Sequence, residues 1–238
     1  MKYLLVLIFA LITTFAYTQN VGIGTTTPNA SAVLDVNSFN KGFLPPRMSF
    51  GQITAIPSPA PGLIIYNTTF SKPVYFDSLK WRFFNDTLMQ PKIGDRLFGG
   101  IVFYIDPSGQ HGFVAAETDQ SNSISWWNGK YVLTGAFSSS DGATNTTAII
   151  NFQGNTGSYA AKICKDYRGG GYTDWYLPAR DQLNLLKGQK YLIGMSDDIY
   201  WSSTEVDISR AWDQYMFTGE SLQTNKNILD HVRAVRSF

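Results

Sequence analysis

Six acidic residues crowd the last third of the chain: Asp197, Asp198, Glu205, Asp207, Asp213 and Glu220. Carboxylates can hold a hard cation such as calcium or, as a facing pair, hydrolyse a glycosidic bond. The spacing singles out neither chemistry. There is no EF-hand pattern, and no two carboxylates stand at a separation that marks them as a pair. A solvated acidic loop accounts for the same residues. The two histidines, His111 beside a turn and His231 in a strand, form no HExxH motif, and no paired cysteines accompany them. Both read as surface or structural residues. No GxSxG elbow is present. Cys164 is the one cysteine; it excludes an intramolecular disulfide and falls on an apolar helix face, as a buried small hydrophobe does. Gly22 and Gly24 begin a nucleotide-loop pattern, but its third glycine falls on Thr27 and no strand precedes it.

What remains is binding chemistry. Aromatic faces stack on sugars, and polar side chains exchange hydrogen bonds with hydroxyls. Asp207, Arg210, Asp213, Tyr215, Glu220 and Asn225 lie in or beside the loops between the last strands and are the expected ligand contacts. Trp175 and Trp201 read as structural. The expected ligand is a glycan or another surface protein. A secreted polysaccharide hydrolase and a purely structural fibre component are the alternatives.

Composition narrows the setting. The 238 residues carry 19 Lys and Arg against 18 Asp and Glu, a net charge of +1, so there is no electrostatic case for nucleic acid or an anionic membrane. Charged residues make up only 16%, while 44% are hydrophobic and 15% aromatic. A packed core is affordable, and polarity comes from Ser, Thr, Asn and Gly, which suit strands, turns and exported surfaces.

The elements that would position the binding residues can be taken in order. Residues 1–18 read as a secretory signal: Lys2, an apolar run from Tyr3 to Ile12, then small residues at Thr14 and Ala16. The run is too short for a membrane span, and export from a Gram-negative cell to its surface or medium is expected. Residues 19–90 have a different texture. A Gly/Thr-rich start gives way to Val33, Leu34 and Val36, the Pro45–Pro46 pair forces extension, Gly62–Thr68 reads as a strand and Val74–Phe84 as a hairpin around Asp77–Ser78. This stretch has little continuous apolar sequence for a core of its own.

Residues 91–238 read as the main domain. Ile101–Ile105 and Gly112–Ala116 form a hairpin through Asp106-Pro107-Ser108-Gly109, which has type I turn chemistry. Of the neighbouring Trp126 and Trp127, alternation predicts one buried and one more exposed. Helices are predicted over Thr144–Phe152 and from an N-cap at Ser158 to Tyr167. Gly169–Leu186 joins a glycine turn, the apolar anchors Trp175 and Leu177, and a helix whose first turn takes Pro178. Strands at Ile199–Thr204, Ala211–Phe217 and His231–Phe238 close the chain, the last near a sheet edge.

Two resemblances follow from ordered motifs. Val21-Gly22-Ile23-Gly24-Thr25 with Pro28, Leu34-Asp35-Val36 and Lys41-Gly42-Phe43-Leu44-Pro45-Pro46-Arg47-Met48 resemble N-terminal segments of secreted bacterial and fibre-like proteins. That resemblance implies a β-rich stalk and a homotrimer assembled through it. From about Lys92 onward, Gly99-Gly100-Ile101-Val102-Phe103, Trp175-Tyr176-Leu177-Pro178 with Asp181-Gln182-Leu183, Tyr200-Trp201-Ser202-Ser203-Thr204-Glu205, Ala211-Trp212 and Val232-Arg233-Ala234-Val235-Arg236 resemble the Fibrobacter-type major paralogous domain. This lectin-like C-terminal family implies an α+β, C-type-lectin-like fold: two helices and a twisted antiparallel sheet with long binding loops. The calcium signatures of sugar-binding lectins are absent, with Trp212-Asp213 only a partial echo, so no cofactor is implied. Nor are the cysteines of sulfatase-activating enzymes, which share that fold. The resulting expectation is an exported, non-catalytic binding protein with a stalk and a head.

Overall fold

The computed structural model describes residues 20–238; the expected signal at residues 1–18 lies outside the described residues. The chain divides into two compact units at Pro46/Arg47. The boundary expected near residue 90 falls within the second unit.

The first unit, as far as it is described, is a ribbon of two parallel strands, β1 (Val21–Ile23) and β2 (Leu34–Val36).

The second unit opens with a four-stranded sheet in the order β3-β4-β5-β6: β3 (Arg47–Met48), β4 (Ile64–Asn67), β5 (Lys72–Phe76) and β6 (Trp81–Phe83). Helix α1 (Phe50–Thr54) follows β3, and Ser49 caps it, its hydroxyl accepting from the Gln52 N–H while the Gln52 side chain accepts from the Ser49 N–H. The β5–β6 turn closes on Asp77, whose Oδ1 accepts from the N–H groups of Leu79 and Lys80. Contrary to the expectation of too little core, Phe50, Ile53, Ile65, Val74 and Met89 are buried together here. Their apolar side chains are scattered in sequence, and the β4–β5 hairpin and α1 gather them.

A second sheet has the order β15-β9-β8-β7, built from β7 (Arg96–Leu97), β8 (Gly100–Ile105), β9 (Gly112–Ala115) and β15 (Val235–Ser237). The Asp106–Gly109 turn forms as its residue types dictate. The Gly109 N–H donates to the Asp106 carbonyl at 3.0 Å, and Asp106 Oδ1 takes the Ser108 hydroxyl and N–H. A third sheet has the order β10-β14-β11-β12-β13: β10 (Ser121–Ile124), β11 (Ile199–Glu205), β12 (Arg210–Tyr215), β13 (Ser221–Asn225) and β14 (Asp230–Val232). Helices α2 (Gly142–Gln153), α3 (Ala160–Asp166) and α4 (Arg180–Gly188) pack beside these strands.

The α+β, C-type-lectin-like fold with two helices is therefore corrected. Among the described residues there are four sheets and four α-helices, and strand makes up 28% of those residues against 16% helix. The architecture is β-rich, more like a β-sandwich. The expected last strand shows why: residues 231–238 do not form one edge strand. They split at Arg233–Ala234, so that β14 runs between β10 and β11 in one sheet while β15 borders β9 in another. Arg233 is buried at this crossing, and Arg236 is buried too although it lies on β15, the edge strand of its sheet, where an edge was expected. Arg233 donates to Asp119 Oδ1 at 2.6 Å and to the carbonyls of Ala116 and Ile193. Arg236 grips Asp174 with two bonds of 2.7 and 2.8 Å.

Smaller differences have local causes. Trp126 and Trp127 are both buried, because they lie in an irregular stretch after β10 where strand alternation does not apply. Ser158 does not cap α3; extended Tyr159 precedes the helix and sends its hydroxyl to the Gly154 carbonyl at 2.6 Å. Pro178 lies just ahead of α4 rather than in its first turn, and the Gln182 side chain accepts from the Ala179 N–H at 2.9 Å. Trp175 and Leu177 are fully buried as expected. The Trp175 indole N–H donates to the Gly169 carbonyl, and its ring meets Tyr167 edge-on at 5.0 Å. Gly170, at φ 63°, passes so close to Gly99 that a Cβ would stand 2.3 Å from its Cα.

Candidate functional site

Five of the six expected contact residues divide between the two ends of the β12–β13 hairpin, and the sixth, Asp213, lies within β12. Arg210 pairs with Asn225 at one end, next to Asp207, while Tyr215 and Glu220 lie at the other, where the Tyr215 N–H donates to the Glu220 carbonyl. A six-residue strand separates these ends by about 17 Å. Asp207 and Arg210 are engaged with each other. Asp207 Oδ1 accepts from the N–H groups of Ser209 and Arg210 at 2.8 Å, and Oδ2 accepts from Arg210 Nε at 2.8 Å. These bonds hold the Asp207 carboxyl well below the usual carboxylate range. Glu220 and Asn225 are exposed, and Tyr215 is half-buried.

Asp213 is not a loop residue. It pairs with Trp201 across β11–β12 and is 1% exposed. Neither of its carboxyl oxygens has a hydrogen-bond partner, nor does one oxygen of buried Asp230. Burial pushes the Asp213 carboxyl up to about 6. Burial, then the charge of Asp213, pushes Asp230 up to about 7. The two acids are close enough to repel, but they are buried and closed to solvent.

Glu205 also leaves the solvated acidic loop in which the sequence placed it. Its side chain and that of Lys226 are both 0% exposed and pair at 2.6 Å. Glu205 also accepts from the Thr134 and Gly135 N–H groups, and the Lys226 ammonium donates to the Asp207 carbonyl and lies 4.6 Å from the Trp126 ring centroid. This pair therefore fixes two loops and presents nothing outward. Asp197 and Asp198 do stay partly solvated, at 47% and 57% side-chain exposure.

Other reactive groups are similarly committed. His231 has Nδ1 3.4 Å from Asp119 and Nε2 3.4 Å from Asp198, and Tyr200 donates to the same Asp119 at 2.8 Å. Cys164 is buried, which pushes its thiol up. Among the described residues, no group of three His, Cys, Asp or Glu is arranged to hold a metal ion. A cleft of about 320 Å³ lies between α1 and the β5–β6 hairpin, bordered by Phe50, Phe76, Leu79, Trp81 and Met89; no carboxylate, histidine or cysteine lines it.

Two surfaces stand out instead, and sequence reasoning named neither as a whole. On the second unit, Tyr191 and Phe217, 81% and 62% exposed, gather around the Lys190 ammonium at 4.7 and 5.7 Å, with Tyr215 beside Phe217. Lys190 is held in place by Asp197 and the Met216 carbonyl. On the first unit, Val21, Ile23, Val33, Leu34, Val36, Phe39, Phe43 and Leu44 are all exposed. So dense an uncovered apolar surface marks a contact with another molecule. Residues 22–95 match the model of the phage tail like trimerisation region. The match covers just under a third of the chain, taking in the exposed ribbon and the β3–β6 sheet. It bears out a stalk or fibre-like segment there and supports a homotrimer. No curated protein matches the chain. No described helix is long and apolar enough to cross a membrane.

Proposed function

We propose that this protein is a non-catalytic component of an exported fibre or surface structure, in which the trimerisation region gathers three chains and presents three copies of the β-rich head. The observation that carries the reading is the trimerisation match over residues 22–95. The uncovered apolar side chains at its start supply the driving force, since burying them between copies removes apolar area from water. Sedimentation equilibrium on the mature chain tests it. A mass three times that of one chain is expected; a monomer at micromolar concentration overturns the reading.

A second reading concerns what the heads touch. The exposed rings of Tyr191 and Phe217, with Tyr215 alongside, favour contact with a glycan or a surface protein, because aromatic faces stack on apolar ring surfaces. Three weak heads on one trimer would gain on the order of 10² in avidity where the geometry allows joint engagement. A glycan array, run with and without calcium, should show binding by the full chain that is lost in a Tyr191→Ala, Phe217→Ala variant. Equal signals from both proteins remove this reading and leave the structural one.

A further inference from the structure

Resting on the trimerisation reading, we infer that copies of the chain meet through the β1–β2 ribbon, each turning the face made by Val21, Ile23, Leu34 and Val36 toward the same face of two others around a threefold axis. The register assigns the face. Val21 pairs with Leu34, Gly22 with Asp35 and Ile23 with Val36. Side chains alternate along a strand, and residues paired across strands share a side. The four branched apolar residues therefore share one side, and Gly22 and Asp35 take the other. The ribbon is one-sided, with a small and polar back.

That apolar side is uncovered. Val21, Ile23, Leu34 and Val36 are 53%, 55%, 50% and 41% exposed. A parallel pair is ordinarily buried on both faces, and two strands alone do not make a stable sheet in water. This ribbon nevertheless has a closed and specific backbone. The Val21 N–H donates to the Val33 carbonyl at 2.7 Å, the Asn37 N–H to the Ile23 carbonyl at 2.9 Å, and the Asn29 N–H to Asp35 Oδ2 at 2.9 Å. Gly24 takes φ +77°, and a Cβ there would stand 2.0 Å from the Asn37 carbonyl oxygen, so only glycine permits the closure. The face is thus shaped before it meets anything, which reduces the ordering cost of association.

The occupant follows from charge and from the match. Between residues 20 and 46 the ionisable side chains are Asp35 and Lys41. No basic cluster exists to draw the ribbon to anionic lipid, and no charge pattern exists to select a different protein. An uncharged aliphatic face is complementary to itself. The trimerisation match begins at residue 22, inside β1. Three such faces directed at one axis cover each other and close the assembly, leaving no open end to propagate.

Sedimentation equilibrium of three full-length proteins tests this: the unaltered chain, Ile23→Asp with Val36→Asp, and Leu79→Asp. Leu79 is 85% exposed and lies in the same matched region but outside the ribbon. The unaltered chain and Leu79→Asp should be trimers, whereas the ribbon variant should be monomeric, its association weakened at least about 100-fold by burying charge. Near-ultraviolet circular dichroism should show the head native in all three. Ile23→Thr with Val36→Thr keeps the β-branched shape and should weaken association in the same direction, so misfolding of the Asp variant does not shelter the inference. A trimer that survives both ribbon variants overturns the inference and leaves the trimerisation reading standing. An unaltered chain that is monomeric overturns that reading and the inference with it.

Discussion

Replacing Asp230 by Asn should remove most of the pH dependence of stability between pH 5 and 8. Asp213 and Asp230 are buried at 1% and 6% exposure, and three of their four carboxyl oxygens lack partners. Their carboxyls are pushed up from 3.8 to about 6 and about 7. A raised acid is neutral in the fold at pH 5, where the unfolded chain has already lost the proton. Its contribution is complete below pH 4 and disappears as pH rises through 6 and 7, so the folded protein weakens toward alkaline pH. At about 1.4 kcal/mol per pH unit, with the mutual repulsion counted once and solvent screening discounted, the loss is on the order of 3 kcal/mol. For a unit of this size that is about 6–12 °C in Tm. Groups that act in the opposite sense lie outside the window. The Asp106, Asp141, Asp174 and Asp207 carboxyls are lowered, so they stabilise above pH 4 and lose that effect only in stronger acid. Calorimetry at pH 5 and 8 should show the wild type melting lower at pH 8, and Asp230→Asn losing less than half as much while exceeding the wild type at pH 8. A wild type as stable at pH 8 as at pH 5, or a variant with the same slope, would refute the reasoning.

Glu205→Gln should cost about 3–5 kcal/mol in denaturant unfolding, because it leaves the Lys226 ammonium buried without its counter-charge, whereas Glu205→Gln with Lys226→Met should recover part of that loss. Trp175→Ala should cost about 3–5 kcal/mol, the usual loss for a fully buried aromatic; a cost under about 1 kcal/mol would contradict its place in the core. Cys164 should react with a thiol reagent far more slowly in the native protein than in denaturant, and rapid native labelling or a disulfide-linked dimer would count against its burial.

What could be read in the sequence was local chemistry, and what could not was set by partners far along the chain. The Asp106–Gly109 turn, the anchors Trp175 and Leu177 and the buried Cys164 each depend on neighbours within a few residues or on helical spacing. Strand β11 was expected at Ile199–Thr204 and is found there, but its burial depends on neither. From Tyr200 to Glu205 every residue is buried, including Ser202, Ser203, Thr204 and Glu205, because β12 and β14 flank it and its faces are covered by α2 and Trp126. A run of Ser, Ser, Thr and Glu carries no sign of this, since its hydroxyls are satisfied by such distant groups as the Trp212 and Ser138 carbonyls. The same holds for Arg233, whose partner Asp119 is 114 residues away, and for the break that sends the final strand into two sheets. The expected contact loop failed as a cluster for a related reason: carboxylates look alike in sequence, whether they tie a turn as Asp207 does, sit in a core as Asp213 does, or face water as Glu220 does. The ribbon is a further case. The sequence shows Val33, Leu34 and Val36 but not their pairing with Val21 and Ile23, which the parallel register reveals, and one chain gives that apolar face nothing to cover it. A pattern that is regular, rigidly held and unburied within its own chain has its physical explanation in a second and third copy.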